Sequence, residues 1–165
     1  MEKKMKGIIA AGGKGSRLYP LTLSTSKHLQ AVNDKPMIYY PLTTLLSAGI
    51  REICIVGNKE ELPLFKKLFG TGEQLGCIIH YVTQRFPNGI PEVIKLSEKI
   101  LGKCNITLIL GDNIISAGGD FSNILRNQNP KGASIFGISV KNPEEYGVID
   151  FDSSFNIRSI IEKPK

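Results

Sequence analysis

Short apolar runs alternate with segments of helical periodicity through the first two thirds of the chain, and this alternation limits the folds open to it. The expected strands span residues 7–11, 53–56, 78–82 and 106–110, and the expected helices span residues 38–48, 62–69, 93–101 and 121–125. Strands buried on both faces of a parallel sheet are apolar throughout. The sequence therefore predicts a three-layer α/β fold built on a mainly parallel, Rossmann-like sheet.

The last third of the chain has a different pattern. Residues 133–140, 147–151 and 157–161 are strand-like with no helical segment between them, so late antiparallel strands are expected as an addition to the sheet. Without an internal repeat, low-complexity tract or linker, residues 1–165 are expected to form one domain. Pro36 is expected in the first turn of the helix at 38–48, and Pro41 is expected to kink that helix.

Composition and cysteine spacing exclude several classes of protein. No apolar run approaches the roughly 18 residues that a membrane-spanning helix needs, and the N-terminus lacks a secretory signal pattern, so a cytoplasmic location is expected. Cys54, Cys77 and Cys104 are isolated along the chain, which favours small buried core residues over a disulfide framework or a zinc site. The net charge of +6 favours an anionic ligand, but the basic residues are dispersed, so nucleic acid is not the expected partner.

Three polar turns follow predicted strands, at residues 11–17, 83–91 and 111–113. In open α/β sheets, ligands bind outside the carboxyl ends of the strands. If the strands are parallel, the three turns converge on one crevice. This convergence is the main argument from the residues themselves for a binding site.

The first turn is rich in glycine. Backbone N–H groups at Gly12, Gly13 and Gly15 can approach phosphate oxygens closely because no side chain intervenes. Arg17 adds a fork-shaped cation suited to a polyphosphate, and Lys27 follows ten residues later. The turn matches neither the P-loop nor the G-x-G-x-x-G pattern, so from the residues alone a simple tight turn is an equally good interpretation.

The turn at residues 111–113 carries a carboxylate at a strand end. Asp112 there could hold Mg²⁺, which would bridge phosphate oxygens. Gly-Asp-Asn is also ordinary turn chemistry, and taken alone that interpretation is slightly favoured. A phosphate-binding loop at the same edge of the sheet would favour the metal.

Several motifs together resemble one family. They are Ala11-Gly12-Gly13-x-Gly15-Ser16-Arg17-Leu18, Ser26-Lys27, the segment 34–42, Ala48-Gly49-Ile50, Leu110-Gly111-Asp112-Asn113, Glu145-Tyr146-Gly147-Val148 and Glu162-Lys163-Pro164. In order and spacing they resemble sugar-phosphate nucleotidyltransferases, and within them the glucose-1-phosphate thymidylyltransferases. The likeness covers residues 6–165, and it implies a fold of the nucleotide-diphospho-sugar transferase type.

The resemblance also implies a reaction, a cofactor and a set of site residues. An oxygen of a sugar 1-phosphate, glucose 1-phosphate being favoured, would attack the α-phosphorus of dTTP or UTP with Mg²⁺ as cofactor, giving a nucleotide sugar and pyrophosphate. The implied catalytic residues are Arg17, which would hold the pyrophosphate, and Lys27, which would neutralise the reacting phosphates. The implied substrate-binding residues are Ala11, Gly12, Gly13, Gly15, Gln84, Gly89, Asp112, Tyr146, Gly147, Glu162 and Lys163. Asp112 would carry the metal, Gln84 would contact the base, and the last four would contact the sugar or its phosphate.

The chain departs from the family pattern in three places. It ends at Lys165, where family members continue with a segment that supplies more of the sugar site, a second acidic metal ligand and part of the oligomer interface, so it is expected to be a truncated N-terminal portion. Gln30-Ala31 replaces Leu-Pro. Pro91-Glu92-Val93 replaces Ala-Gln-Ala, and the larger Val93 is expected to crowd the nucleotide pocket.

Two other functions remain alternatives to an active enzyme. A non-catalytic nucleotide-binding module, or a truncated and inactive paralogue, would suit the early end of the chain. A dinucleotide-binding oxidoreductase is disfavoured because Gly57-Asn58-Lys59 offers no acidic residue for a ribose at the end of the second strand. A homodimer is the expected assembly.

Overall fold

The structure is a computed structural model that describes residues 4–13, 15–86, 88–116, 118–127 and 132–164, with the backbone alone for 118–120. The chain divides into two compact units, Met1–Gln128 and Asn129–Lys165. The expectation of one domain for the whole chain stays a prediction. Among the described residues, every helix is too short or too polar to cross a membrane.

A four-stranded parallel sheet forms the centre of the first unit. Its strands are β1 (Lys6–Ala11), β4 (Glu52–Gly57), β5 (Ile78–Thr83) and β6 (Ile106–Leu110), in the order β5-β4-β1-β6. In the register, Ile9 of β1 lies beside Ile55 on one side and Ile109 on the other. The predicted parallel α/β sheet is confirmed.

Helices cover both faces of this sheet, as a three-layer fold requires. They are α1 (Tyr39–Ser47), α2 (Leu62–Phe69), α3 (Ile90–Leu101) and α4 (Gly118–Arg126). Successive strand residues point to opposite faces. Ile9 accordingly packs in one core cluster with Leu42 of α1 and Phe65 of α2, whereas its neighbour Ile8 packs in a second cluster with Val93 of α3.

Two expectations about this unit need revision. Pro36 does not begin a helix: it lies in β3 (Lys35–Pro36), which pairs antiparallel with β2 (Ala31–Val32) through a turn in which Asn33 has a positive φ of 57°. Pro41 falls in the first turn of α1, where a backbone N–H has no acceptor within the helix, so no kink is needed to accommodate it.

The three cysteines lie in or near the core, where small buried residues were predicted. Cys54 and Cys77 are buried, and Cys104 is half-buried. Val93 is 4% exposed and packs with the apolar side chains between α3 and the sheet. The expected crowding of the nucleotide pocket by Val93 is therefore wrong, because the side chain lies in the core beneath the helix.

The second unit contains β7 (Gly147–Phe151) and β8 (Ile157–Glu162), which pair antiparallel. The predicted late antiparallel strands are thus confirmed, and they form a two-stranded sheet of their own and not an addition to the parallel sheet. Residues 133–140 form no strand either, although one was predicted there. A strand needs a neighbour with which to pair, and apolar composition contains no information about that neighbour.

Candidate functional site

All four strands of the parallel sheet end at one edge, and polar or glycine residues follow each end. The strand ends are level, since Ala11 lies beside Gly57 and Gly57 beside Thr83. The chain runs outward from β1 through β4 to β5 and then returns to β6 on the other side of β1. Such a reversal opens a crevice beyond the strand ends. The turns at residues 11–17 and 111–113 both lie at this point.

The glycine loop after β1 is packed against Lys27. Gly15 has a φ of 65°, a left-handed conformation that favours glycine, and a Cβ added there would lie 2.7 Å from the Cβ of Lys27. A Cβ on Gly13 would lie 3.6 Å from the Nζ of Lys27. The amine of Lys27 therefore lies beside the loop whose backbone was expected to cradle phosphates.

Lys27 also forms an ion pair with Asp112. Its Nζ lies 2.5 Å from Oδ2 of Asp112, and the two side chains are 19% and 37% exposed. Burial by itself would raise the pKa of Asp112, but the hydrogen bond and positive charge of Lys27 hold it below its usual value. The structure thus brings Gly13, Gly15, Lys27 and Asp112 together, with the carboxylate ionised at neutral pH.

His28, which follows Lys27, packs closely against Gly111, which precedes Asp112. Its ring is 2% exposed, with Nδ1 3.3 Å from Oγ of Ser26, and it meets Phe65 edge-on at 6.0 Å between ring centroids. A Cβ on Gly111 would lie only 2.7 Å from Cδ2 of this ring. Burial, together with the charge of Lys27, lowers the pKa of His28 to about 4, so the ring is neutral at pH 7.

Glu61 completes the buried polar group around His28. Its Oε2 lies 3.9 Å from Nδ1 of His28 and, among the described residues, has no hydrogen-bond partner. Burial raises the pKa of this carboxyl group. Sequence reasoning missed both residues, and the only available signal was the position of His28 directly after Lys27.

Gln84 follows β5, and hydrogen bonds position both its backbone and its side chain. Its backbone N–H donates to the carbonyl of Gly57 at 2.8 Å, and its side-chain Nε2 donates to Oε2 of Glu92 at 2.8 Å. Its Oε1 faces the glycine loop, 2.9 Å from where a Cβ on Gly12 would stand. An open cavity of about 490 Å³ adjoins this side chain; it is lined by Asn58, Lys59, Glu60, Thr83, Gln84 and Arg85.

The other predicted residues of the first unit lie around the same edge. Ala11 is fully buried at the end of β1, and Gly89 precedes α3 with a φ of 86°. Arg17 is exposed in the short 3₁₀ turn Ser16–Leu18. Within the described part of the chain, the structure does not bring Arg17 into an ion pair with Asp112.

The four predicted sugar-site residues belong to the second unit and meet at one end of its hairpin. The N–H of Lys163 donates to the carbonyl of Tyr146 at 2.8 Å. Gly147 pairs with Glu162, and a Cβ on that glycine would lie 3.2 Å from Oε2 of the glutamate. The structure places these residues side by side, and their role stays a prediction.

Asp112 is the residue to be tested as a metal ligand. In the ranges that the structure describes, no group of three His, Cys, Asp or Glu side chains could enclose a metal ion. Mg²⁺ in phosphate-transfer sites is commonly held by one or two carboxylates together with substrate phosphates. The ionised oxygens of Asp112, beside the glycine loop, fit that arrangement.

Comparison with known proteins gives one consistent result. A family model described as nucleotidyl transferase matches residues 6–165. The chain is similar to a glucose-1-phosphate thymidylyltransferase of Neisseria gonorrhoeae, at 47% identity over 163 residues that cover 98% of the chain and 56% of the relative. A relative of the same name from Mycobacterium tuberculosis is 44% identical over 160 residues, covering 97% of the chain and 56% of the relative.

The fold is also found among solved structures. A Bacillus anthracis protein assigned as a glucose-1-phosphate thymidylyltransferase, crystallised with a sucrose, is 38% identical with a TM-score of 0.87. The match covers 97% of the chain and 65% of that protein. The chain spans about half the length of the curated relatives it matches.

Proposed function

The chain belongs to the nucleotidyl transferase family, and on that premise we propose that it supplies the nucleotide side of an enzyme that joins a nucleoside triphosphate to a sugar 1-phosphate. dTTP is favoured as the nucleotide and glucose 1-phosphate as the sugar, because the relatives are named for that pair. UTP is the second candidate nucleotide. The reaction would be a step in dTDP-sugar and carbohydrate biosynthesis.

One observation carries the proposal: the Lys27–Asp112 pair adjoins the glycine loop at the reversal point of a parallel sheet. A polyphosphate bound there would meet backbone N–H groups at Gly12 and Gly13 and the amine of Lys27. Charge-assisted hydrogen bonds of this kind are the strong ones, particularly away from bulk water. A purely structural turn gives no packing reason to place a lysine and a carboxylate 2.5 Å apart beside glycines.

The proposed chemistry is a substitution at phosphorus. An oxygen of the sugar phosphate forms a bond to the α-phosphorus, the bond from that phosphorus to its bridging oxygen breaks, and pyrophosphate leaves with the electron pair. Catalysis then depends on positioning and on neutralising negative charge. Lys27 would stabilise charge on the reacting phosphates, and Arg17, being exposed beyond the loop, would hold the departing pyrophosphate.

The remaining roles are those that the family resemblance implies. Asp112 would hold Mg²⁺, which would supply further charge neutralisation on the phosphate oxygens. Gln84 would contact the base through its amide, and Gly89 would lie near it. Tyr146, Gly147, Glu162 and Lys163 would contact the sugar or its phosphate, as the family pattern implies.

The test is titration calorimetry of the chain with dTTP and Mg²⁺, followed by a pyrophosphate-release assay with glucose 1-phosphate. Asp112→Asn should weaken Mg²⁺-dependent binding of dTTP by about tenfold or more, since a charge-assisted contact is worth about 1.5–3 kcal/mol. Asp34→Asn is the matched control, because Asp34 is exposed and forms a salt bridge with its neighbour Lys35.

Each outcome has a distinct meaning. Binding with release supports the enzyme, whereas binding without release supports the nucleotide-binding module. An Asp112→Asn variant with the parent's metal dependence would show that the Gly-Asp-Asn turn is structural. We further propose a homodimer in the cytoplasm, and sedimentation and cell fractionation would test that assembly and location.

A further inference from the structure

The amide of Gln84 is hydrogen-bonded to a charged partner, Glu92. Its Nε2 donates to Glu92 at 2.8 Å, and the other oxygen of Glu92 accepts from Nδ2 of Asn88 at 3.2 Å. Gln84 is 7% exposed, so its side chain has little room to rotate. Within the described part of the chain, no donor takes its Oε1, which faces Gly12.

A carboxylate determines which end of a neighbouring amide faces it. An amide carries an acceptor at one end and a two-hydrogen donor at the other, whereas an ionised carboxylate can only accept. The hydrogen bond from Gln84 lowers the pKa of Glu92, and the first turn of α3 also favours a negative charge there. The NH₂ end of Gln84 is therefore directed toward Glu92, and its carbonyl oxygen toward the glycine loop.

We propose that Glu92 is a positioning residue that holds the Gln84 amide in the one orientation able to select a nucleobase presenting an N–H on its pairing edge. The proposal rests on the proposed function, because it takes the nucleotide to lie at the Gly12 loop. It adds a determinant of base choice at a position outside the predicted site.

The selection follows from hydrogen-bond complementarity. Thymine and uracil present the N3–H donor between two carbonyl oxygens, so Oε1 of Gln84 can accept from N3–H while the second hydrogen of Nε2 is donated to a carbonyl. With the ring in the same place, so that N3 faces Oε1, cytosine presents an acceptor at N3 and a donor beside it, and pairing in that position would need the amide turned over. Turning it over would direct Oε1 at the carboxylate of Glu92, which is repulsive and leaves a hydrogen bond unmade.

The experiment compares dTTP with dCTP, which carry the same charge and differ in the base. Calorimetry with Mg²⁺ would measure both dissociation constants for the parent chain, Glu92→Met and Glu92→Gln. Methionine matches the length of glutamate but offers no strong acceptor, whereas the glutamine oxygen can still accept from Gln84. Glu98→Met, on the same helix, is the matched control.

The parent chain is expected to prefer dTTP, and Glu92→Met to lower that preference by about tenfold, within the range that a mispaired two-point contact implies. Glu92→Gln, whose amide can accept from Gln84 but can also turn and donate to it, should lower the preference less than Glu92→Met does, and Glu98→Met should leave it unchanged. An unchanged dTTP/dCTP ratio in Glu92→Met, an equal loss for both nucleotides, or no rescue by Glu92→Gln would overturn the role of Glu92. Equal binding of both nucleotides by the parent would overturn it as well while leaving nucleotide binding intact, and no binding by the parent would overturn the proposed function itself.

Discussion

Gly111→Ala tests whether the His28 ring determines the position of the turn that carries Asp112. The added Cβ would lie 2.7 Å from Cδ2 and 3.1 Å from Nε2 of His28, and 3.2 Å from the Cβ of Ala11. Carbon atoms in contact prefer a separation of about 3.5–4.0 Å. The ring would therefore have to move away by about 0.8 Å. It has little freedom to do so, because it is buried against Phe65 and hydrogen-bonded to Ser26.

Overpacking of this kind costs about 1–3 kcal/mol. For a chain of this size, each kcal/mol lowers the Tm by about 2–4 °C. If the turn moves instead of the ring, Asp112 moves away from Lys27 and Mg²⁺-dependent nucleotide binding weakens too. Gly13→Ala is the control, because its Cβ would lie at ordinary contact distances of 3.6 Å from Nζ and 4.0 Å from Cε of Lys27 and should not destabilise the fold.

The assay is urea unfolding of Gly111→Ala in the parent and in a His28→Ala background. Removal of the ring leaves space for the new methyl group, so the destabilisation should fall below about 0.5 kcal/mol in that background. The same free-energy loss in both backgrounds would refute the reasoning, since the clash with His28 would then not be its cause.

Two further perturbations test other parts of the molecule. Arg17→Ala should abolish pyrophosphate release, or weaken triphosphate binding by about tenfold if the chain binds without turnover. The free energy of unfolding should not change, because the side chain is exposed. Unaltered binding and release would remove Arg17 from the site. The second perturbation, at Glu52, tests the pH dependence of stability. Burial by itself would raise the pKa of this carboxyl group. Its hydrogen-bonded contacts with Lys6, at 2.9 Å, and with His80 outweigh burial and hold the pKa below the usual value. Its ionised form therefore stabilises the fold above the unfolded-state pKa, and this contribution is lost as the pH falls through the folded-state value. Glu52→Gln should lower the free energy of unfolding by about 0.2–1 kcal/mol at pH 7, with a smaller difference at pH 3; a difference that grows at pH 3 would contradict this sign.

Several elements could be predicted closely because local signals define them. The helix Leu62–Phe69 was predicted with its observed bounds, as were the strands Ile106–Leu110 and Gly147–Phe151. Gly70 ends the helix, and short uninterrupted apolar runs define strands buried in a sheet. Residues 133–140 show the limit of that reasoning, because an apolar run without a partner strand is not a strand.

The sequence by itself determined which chemical groups stand at the carboxyl edge of the sheet. Once the strands are parallel, Gly12, Gln84 and Asp112 must follow their ends at one edge, whatever the packing details. This is why the glycine loop and the carboxylate could be predicted as parts of one site. Which groups stand at this edge depends on the order of the residues along the chain and on the direction of the strands.

Only the tertiary structure decided how those groups are paired. Lys27 meets Asp112 across 85 positions of sequence, His28 lies beneath Gly111, and Glu92 orients Gln84 from the first turn of a helix. Such contacts depend on strand register, on the path of each connection and on which side chains fill the space between layers. These are properties of the packed chain, because hydrogen bonds and close packing act over a few ångströms and not over sequence distance.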